Sequence, residues 1–380
     1  MKKHLTLTIA LFIIYGIHAN AQKYTINANF SGFKNGTKFY LKDLDADLDI
    51  DSTEIIDGKF TMQKSLSTVK SFWLYARPTK QEFIYTNLLI GPDKIQLKGD
   101  IKDFPRDVIK NGSKSQDVAN ILNNHTKALW GKRDSIVNII APYLLGLKPD
   151  TAKHRTQALS KEMKSIDSNL NNITLNFIKQ HTNSHAGLQE LYWKRNEIDK
   201  VEFTKLFSTV STALKSSSFG QRISNYIKVG NPVKKGDLFF DFEAKDLNNK
   251  VYRISNFKGK YILLDFTETY CGPCILSADA LNALNTKYAD SLQIISFYAE
   301  KNKAVMQEGI KRDQPKWLCI WDGKGSDSEI TLKYGVSGYP TFVLIDPEGK
   351  IVSRFSGFGK NDDGSSNLEK EINRFLQKDN

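Results

Sequence analysis

Apolar and polar residues alternate along Tyr24-Thr25-Ile26-Asn27-Ala28-Asn29-Phe30, the period-two pattern of a strand with one buried face. Gly32 and Asn35-Gly36 punctuate the chain as turns, and residues 38–41 read as the next strand. Residues 53–56 and 59–62 predict a hairpin around a tight Asp57-Gly58 turn. Phe72-Trp73-Leu74-Tyr75-Ala76 and Phe83-Ile84-Tyr85 add aromatic-rich strands. The pattern predicts a small antiparallel β domain over residues 22–112.

The period then changes. Val118, Ile121 and Leu122, followed by Ala128-Leu129, recur at helical spacing, and the stretches 154–181, 184–195 and 200–227 are polar, lysine-rich and nearly free of proline. Pro142 and Gly146 are expected to interrupt the first helix pair. Residues 113–232 therefore predict a helical segment and linker, ending in the turn-forming run Gly230-Asn231-Pro232-Val233-Lys234-Lys235-Gly236. From 233 to 380 strand and helix patterns alternate. Strands are predicted at 238–242, 261–266, 292–298, 317–321, 341–345 and 351–355, and helices at 272–288, 302–312, 326–334 and 366–377. Asp346-Pro347-Glu348-Gly349 is a turn that makes the last two strands antiparallel. An α/β domain with a mixed central sheet covered by helices follows.

The first residues change the compartment expected of the chain. Met1-Lys2-Lys3, the apolar run of about 13 residues from Leu5 to Ile17, and Ala19-Asn20-Ala21 have the three regions of a secretory signal peptide, with cleavage after Ala21. The run falls short of the roughly 20 residues that span a bilayer, which disfavours an uncleaved anchor. Residues 1–21 are thus read as a signal peptide, the mature chain as periplasmic with no stable membrane span. The formal charge is +12, and most of the surplus lies in residues 113–232. A solvated helical surface accounts for it, contact with an acidic partner or anionic membrane being the alternative. No basic stripe with interleaved aromatics points to nucleic acid.

The chain has three cysteines, and two of them form Cys271-Gly272-Pro273-Cys274 directly after the apolar run Tyr261-Ile262-Leu263-Leu264-Asp265-Phe266. Two thiols at the start of a helix can close and reopen a disulfide within one turn, and the helix N-terminus favours the thiolate of the first. Pro273 suits a first helical turn. The same spacing is half of a zinc site, but zinc needs two more ligands and the remaining cysteine is Cys319. Redox chemistry is the better reading. Neither a metal nor a cofactor is expected.

These residues resemble the thioredoxin superfamily, and within it the exported TlpA-like and ResA-like thiol-disulfide oxidoreductases. The resemblance spans residues 233–380 through Phe257-Lys258-Gly259-Lys260-Tyr261, Leu263-Leu264-Asp265-Phe266, the Cys-Gly-Pro-Cys motif, Gly338-Tyr339-Pro340-Thr341 and Ile345-Asp346-Pro347-Glu348-Gly349-Lys350-Ile351-Val352. It implies that Cys271 attacks, that Cys274 resolves a mixed disulfide, and that Asp265 accepts the resolving thiol's proton. It also implies a cis Pro340, with Tyr339, Tyr270, Gly272 and Pro273 lining the substrate groove. Residues 22–112 resemble a β-rich domain of unknown function that precedes such domains, through Asp51-Ser52 and Asp57-Gly58-Lys59-Phe60.

The chain departs from the family in having Tyr270 where tryptophan is usual and Thr267 where an aromatic is common. Glu268 is expected to face solvent at a strand end; turned toward Cys271 it would raise the thiol's pKa. Cys319, in the apolar run Lys316-Trp317-Leu318-Cys319-Ile320-Trp321, reads as a buried small hydrophobe. His181 and His185 have i,i+4 spacing but no nearby acid, so solvated helix positions are expected rather than metal ligands. The function implied is reduction of protein disulfides, with a membrane-embedded electron donor to recharge the enzyme. Isomerase or oxidase action is the alternative, as is a binding or adaptor protein on a thioredoxin scaffold. A peroxiredoxin is disfavoured because Leu264 and Glu268 stand where its Pro and Thr would be.

Overall fold

The structure is a computed structural model that describes residues 23–79, 82–144, 153–361 and 364–377. The proposed signal peptide and Gly146 lie outside the described residues. The first part contains β1 (Lys23–Ser31), β2 (Lys38–Asp43), β3 (Leu48–Glu54), β4 (Lys59–Ser65), β5 (Lys70–Ala76), β6 (Ile84–Ile90), β7 (Lys94–Asp100) and β8 (Ile109–Asn111). They form two four-stranded sheets in the orders β4-β1-β7-β8 and β3-β2-β5-β6. Pairing is antiparallel except between β1 and β7, which run parallel. Alternation in β1 turns Tyr24, Ile26, Ala28 and Phe30 inward, where they share one core with Phe39, Leu41, Phe72 and Leu74 of the other sheet.

Asp57 and Gly58 both have positive φ, 50° and 73°, and Ile56 and Lys59 exchange backbone hydrogen bonds at 3.0 and 2.9 Å. The tight turn is therefore present, but the longer hairpin expected on either side is not. β3 pairs with β2 while β4 pairs with β1, because fully buried Ile55 carries the chain from one sheet to the other.

The helical part comprises α1 (Lys114–Leu144), α2 (Lys153–His181), α3 (His185–Trp193), α4 (Lys200–Ser208), α5 (Thr212–Lys215) and α6 (Ser218–Val229). Pro142 lies inside α1 near its end rather than breaking it earlier. The stretch 200–227 is three helices because Asp199 and Ser217 side chains accept backbone N–H groups and start new ones. The α2–α3 turn needs Gly187, where a Cβ would collide with the His181 carbonyl. It also puts His181 and His185 on different helices. His181 packs on Phe177 at 4.7 Å and His185 is half-buried, so neither is the solvated helix position expected.

The C-terminal part holds β9 (Glu243–Lys245), β10 (Val251–Arg253), β11 (Tyr261–Thr267), α7 (Gly272–Lys287), β12 (Leu292–Tyr298), α8 (Lys303–Asp313), β13 (Leu318–Ile320), α9 (Glu329–Lys333), β14 (Thr341–Ile345), β15 (Ile351–Ser356) and α10 (Asn367–Leu376). Its main sheet has the order β13-β12-β11-β14-β15, parallel on the β12–β13 side of β11 and antiparallel on the other. This is the mixed, helix-covered sheet of a thioredoxin-like fold. Ile262, Leu264 and Phe266 of β11 face one core, and Leu263 faces another with Leu281, Leu284 and Ile372 of α7 and α10. Residues 238–242 are not a strand. Leu238 makes one isolated bridge to Lys350, and the Phe240 carbonyl accepts the Tyr334 hydroxyl, so these aromatics pack on the sheet without joining it.

Candidate active site

Central strand β11 ends two residues before Thr269, and α7 begins at Gly272, so Cys271 is the helix N-cap. Cys271 and Cys274 are joined as a disulfide, and Cys271 Sγ accepts the Cys274 N–H at 3.2 Å. A developing thiolate on Cys271 therefore already has a backbone donor and the positive end of a helix beside it. Cys271 is half-buried and Cys274 is 5% exposed. Pro273 occupies the first turn. Gly272 is exposed with nothing near a Cβ position, so the site requires no glycine there for packing.

The loop ahead of Cys271 is held from α8 and the end of β12. Thr269 N–H donates to Glu300 Oε1 at 2.7 Å, its hydroxyl to the Val305 carbonyl at 3.0 Å, and Arg312 donates to its carbonyl at 2.6 Å. Gly309 lets α8 come this close, since a Cβ there would lie 2.6 Å from Thr269 Oγ1. Tyr270 is 66% exposed beside Cys271, with its hydroxyl donating to Glu308 at 2.7 Å.

Asp265 is buried in β11. Its Oδ2 accepts the Ser296 hydroxyl at 2.6 Å, and Trp317 Nε1 donates to that same Ser296 oxygen at 2.9 Å. Its Oδ1 is buried without a hydrogen-bond partner among the described residues. Burial pushes the carboxyl up to about 7, against the Ser296 bond, with Asp313 adding to the rise. The group can hold or release a proton near neutrality. Cys319 is buried near Asp265, and burial together with that carboxylate pushes its thiol far up, which fits a small apolar filler.

Pro340 follows a cis peptide bond and is buried at the start of β14. Tyr339 is partly buried, packed on the sheet core; burial pushes its hydroxyl well above the ordinary range, with Glu268 adding to the effect. Glu268 corrects the expectation of a solvent-facing side chain. It is half-buried, and burial, then Glu300 and Asp47, raise its carboxyl to about 8. Near neutral pH it is protonated, so it exerts no charge repulsion on Cys271 there.

Asp47 belongs to the β2–β3 turn, so the first part of the chain reaches this site. The same turn supplies Asp45, which pairs with Arg222 of α6 at 3.1 Å and accepts Lys301 on its carbonyl at 2.7 Å. Arg222 also pairs with Asp327, to which Tyr192 donates. Three parts of the chain thus meet at Asp45, Arg222 and Asp327. Glu300, Arg312, Ser296 and Arg222 were not found from sequence, because their partners lie tens to hundreds of positions away and no local spacing marks them.

Residues 234–372 match the family described as Redoxin, and residues 24–119 match a domain of unknown function, DUF4369. The thiol-disulfide oxidoreductase ResA of Bacillus cereus is 29% identical over 40% of this chain and 87% of its own length. The thioredoxin-like protein YneN of Bacillus subtilis is 30% identical over 33% of this chain and 74% of its own length. Among solved structures, the thioredoxin domain of a thiol-disulfide oxidoreductase from Bacteroides vulgatus is 24% identical, with 38% of this chain and 99% of that one covered and a TM-score of 0.34. By these relatives and its C-terminal sheet, the chain belongs to the thioredoxin-like thiol-disulfide oxidoreductases and is an enzyme of that class.

Proposed function

We propose that the chain is exported by residues 1–21 and reduces protein disulfides in the periplasm through Cys271 and Cys274. Residues 22–112, 113–232 and 233–380 are its β-rich, helical and redox units. The observation that carries this reading is the asymmetry of the sulfur pair. The more accessible Cys271 sits at a helix N-terminus, while Cys274 is buried, and a carboxyl of pKa about 7 lies in the strand that leads to them.

In the reduced enzyme the Cys271 thiolate attacks one sulfur of a substrate disulfide. A Cys271–substrate S–S bond forms, and the other substrate sulfur leaves and takes up a proton. Asp265 accepts the Cys274 proton, Cys274 attacks Cys271 Sγ, and the second substrate sulfur departs and is protonated. Two electrons have passed to the substrate, and the enzyme holds the disulfide. The backbone at Tyr339, ahead of Pro340, pairs with an extended substrate segment, and exposed Tyr270 with Gly272 and Pro273 forms the rest of the groove. A membrane-embedded donor returns the electrons.

Cys274→Ala is expected to accumulate mixed disulfides between Cys271 and substrate proteins, identifiable after non-reducing separation. Absence of such adducts, with Cys271 reduced and the variant folded, overturns the assignment. The equilibrium potential against glutathione sets direction: a value near those of strong oxidants would make the enzyme an oxidase or isomerase.

A further inference from the structure

A cavity of about 900 Å³ lies between β6, α1, α2 and α3, and none of its lining residues belongs to the redox unit. Its size suits a small organic ligand. The most unusual wall is β8. There Ile109 is 53% exposed and Lys110 is 5% exposed, so strand alternation turns the apolar residue outward and the cation inward. A strand selected only for packing would have the opposite order.

Among the described residues, no acceptor takes a hydrogen bond from the Lys110 ammonium and no carboxylate pairs with it. Burial lowers it to about 8, which leaves it mostly charged at neutral pH. A buried cation without a counter-ion is costly. Of the other charges on the wall, Arg106 pairs with Asp134, Asp167 with Arg133 and Lys194 with Glu197, while burial pushes the Glu190 carboxyl up to about 7. Asn171 Oδ1 is a buried polar atom on the same wall without a hydrogen-bond partner among the described residues. Trp130, Trp193, Leu122 and Leu170 give the cavity apolar surface.

We propose that this cavity binds a small monocarboxylic acid, its carboxylate on Lys110 and its apolar body against Trp130 and Trp193. A carboxylate supplies the missing counter-charge through a charge-assisted hydrogen bond, stronger than a neutral one. The remaining wall has no second unpaired cation, which favours one acidic group over a phosphate or a diacid.

The test is calorimetric titration of the full chain with 4-phenylbutyrate and with its uncharged counterpart 4-phenylbutan-1-ol, followed by straight-chain monocarboxylates from acetate to decanoate. At least one monocarboxylate is expected to bind ten-fold or more tightly than the matching alcohol. Lys110→Met, which keeps the length and removes the charge, is expected to lose that ten-fold preference while disulfide exchange is unchanged. No binding by any monocarboxylate, equal binding of acid and alcohol, or full affinity in Lys110→Met overturns the proposal and leaves a water-filled void. If Lys110→Met does not fold, the acid-against-alcohol comparison on the native chain decides alone.

Discussion

Asp265→Asn removes one buried ionisable group while keeping its volume and an acceptor for Ser296. The carboxyl rises from 3.8 to about 7 on folding, a shift of about three units, worth about 4 kcal/mol at roughly 1.4 kcal/mol per unit. Because the folded pKa is the higher one, the folded state retains the proton that the unfolded state has lost between those values. Stability contributed by this group therefore falls as pH climbs from about 4 to about 7 and is level above. Asparagine escapes that loss. Its amide accepts from Ser296 less favourably than the carboxyl does, at a cost of about 1 kcal/mol. The variant is expected to be about 2–3 kcal/mol more stable than the parent at pH 8.5 and no more stable at pH 4. Guanidinium denaturation of both oxidised proteins at pH 4, 5.5, 7 and 8.5 measures the gap. Glu190 and Glu268, also raised by burial, titrate in both proteins and cancel in the difference. A gap that stays constant across the series would refute the reasoning, because it would mean that Asp265 ionises alike in both states. In exchange assays the same variant should slow release from the mixed disulfide by about 100-fold while the first attack by Cys271 is unaffected.

Four further outcomes are expected. Arg222→Ala strips Asp327 and Asp45 of their shared cation, where all three side chains are at most 22% exposed; a loss of about 2–4 kcal/mol in urea denaturation is expected. Glu268→Gln should leave the absorbance titration of the reduced Cys271 thiol unchanged below pH 7, since Glu268 is protonated there, and alter it only above about pH 8; a shift at pH 6 contradicts this. Cys319→Ala should preserve exchange activity, and Cys319 in the native oxidised chain should resist a thiol reagent at pH 8 until denaturant is added. Gly309→Ala should force α8 away from Thr269, costing about 1–3 kcal/mol and slowing exchange, read from melting and turnover together.

The sequence was most legible where chemistry and periodicity were both local. The alternation of β1, the long polar stretch that became α2, and the apolar run of β11 ending at Cys271 could all be read within a window of one element. Residues 238–242 misled because their apolar content reports burial, which aromatics satisfy here from an irregular segment. The 53–62 hairpin misled differently: Asp57-Gly58 dictates its turn, whereas Ile55 dictates that its arms part. A strand-end position predicts a solvent-facing Glu268 but says nothing about what packs across it. Its surroundings, Glu300 and Asp47, come from other elements of the chain, and Asp47 stands more than two hundred positions earlier.

That distance bears on what the first two thirds of the chain do for the redox unit. Tyr339 packs on the core of the C-terminal sheet, yet the charge of Arg195 and the Tyr192 hydroxyl from the helical part reach its hydroxyl. Tyr192 and Arg222 hold Asp327, and Arg222 and Lys301 hold the β2–β3 turn through Asp45. Buried charge pairs favour one geometry over its neighbours because a displaced partner leaves a desolvated ion behind. The cluster therefore fixes the β2–β3 turn, whose Asp47 adds to the rise of the Glu268 carboxyl. An isolated C-terminal unit would keep the disulfide and Asp265 but lose Asp47, Tyr192, Arg195 and Arg222. Its Glu268 would then be less buried and more acidic, charged at neutral pH, and placed to repel a thiolate. Comparing the Cys271 titration of residues 233–380 with that of the full chain tests this. A higher thiol pKa in the fragment is expected, and identical curves would show that the flanking parts leave the chemistry of the sulfur untouched.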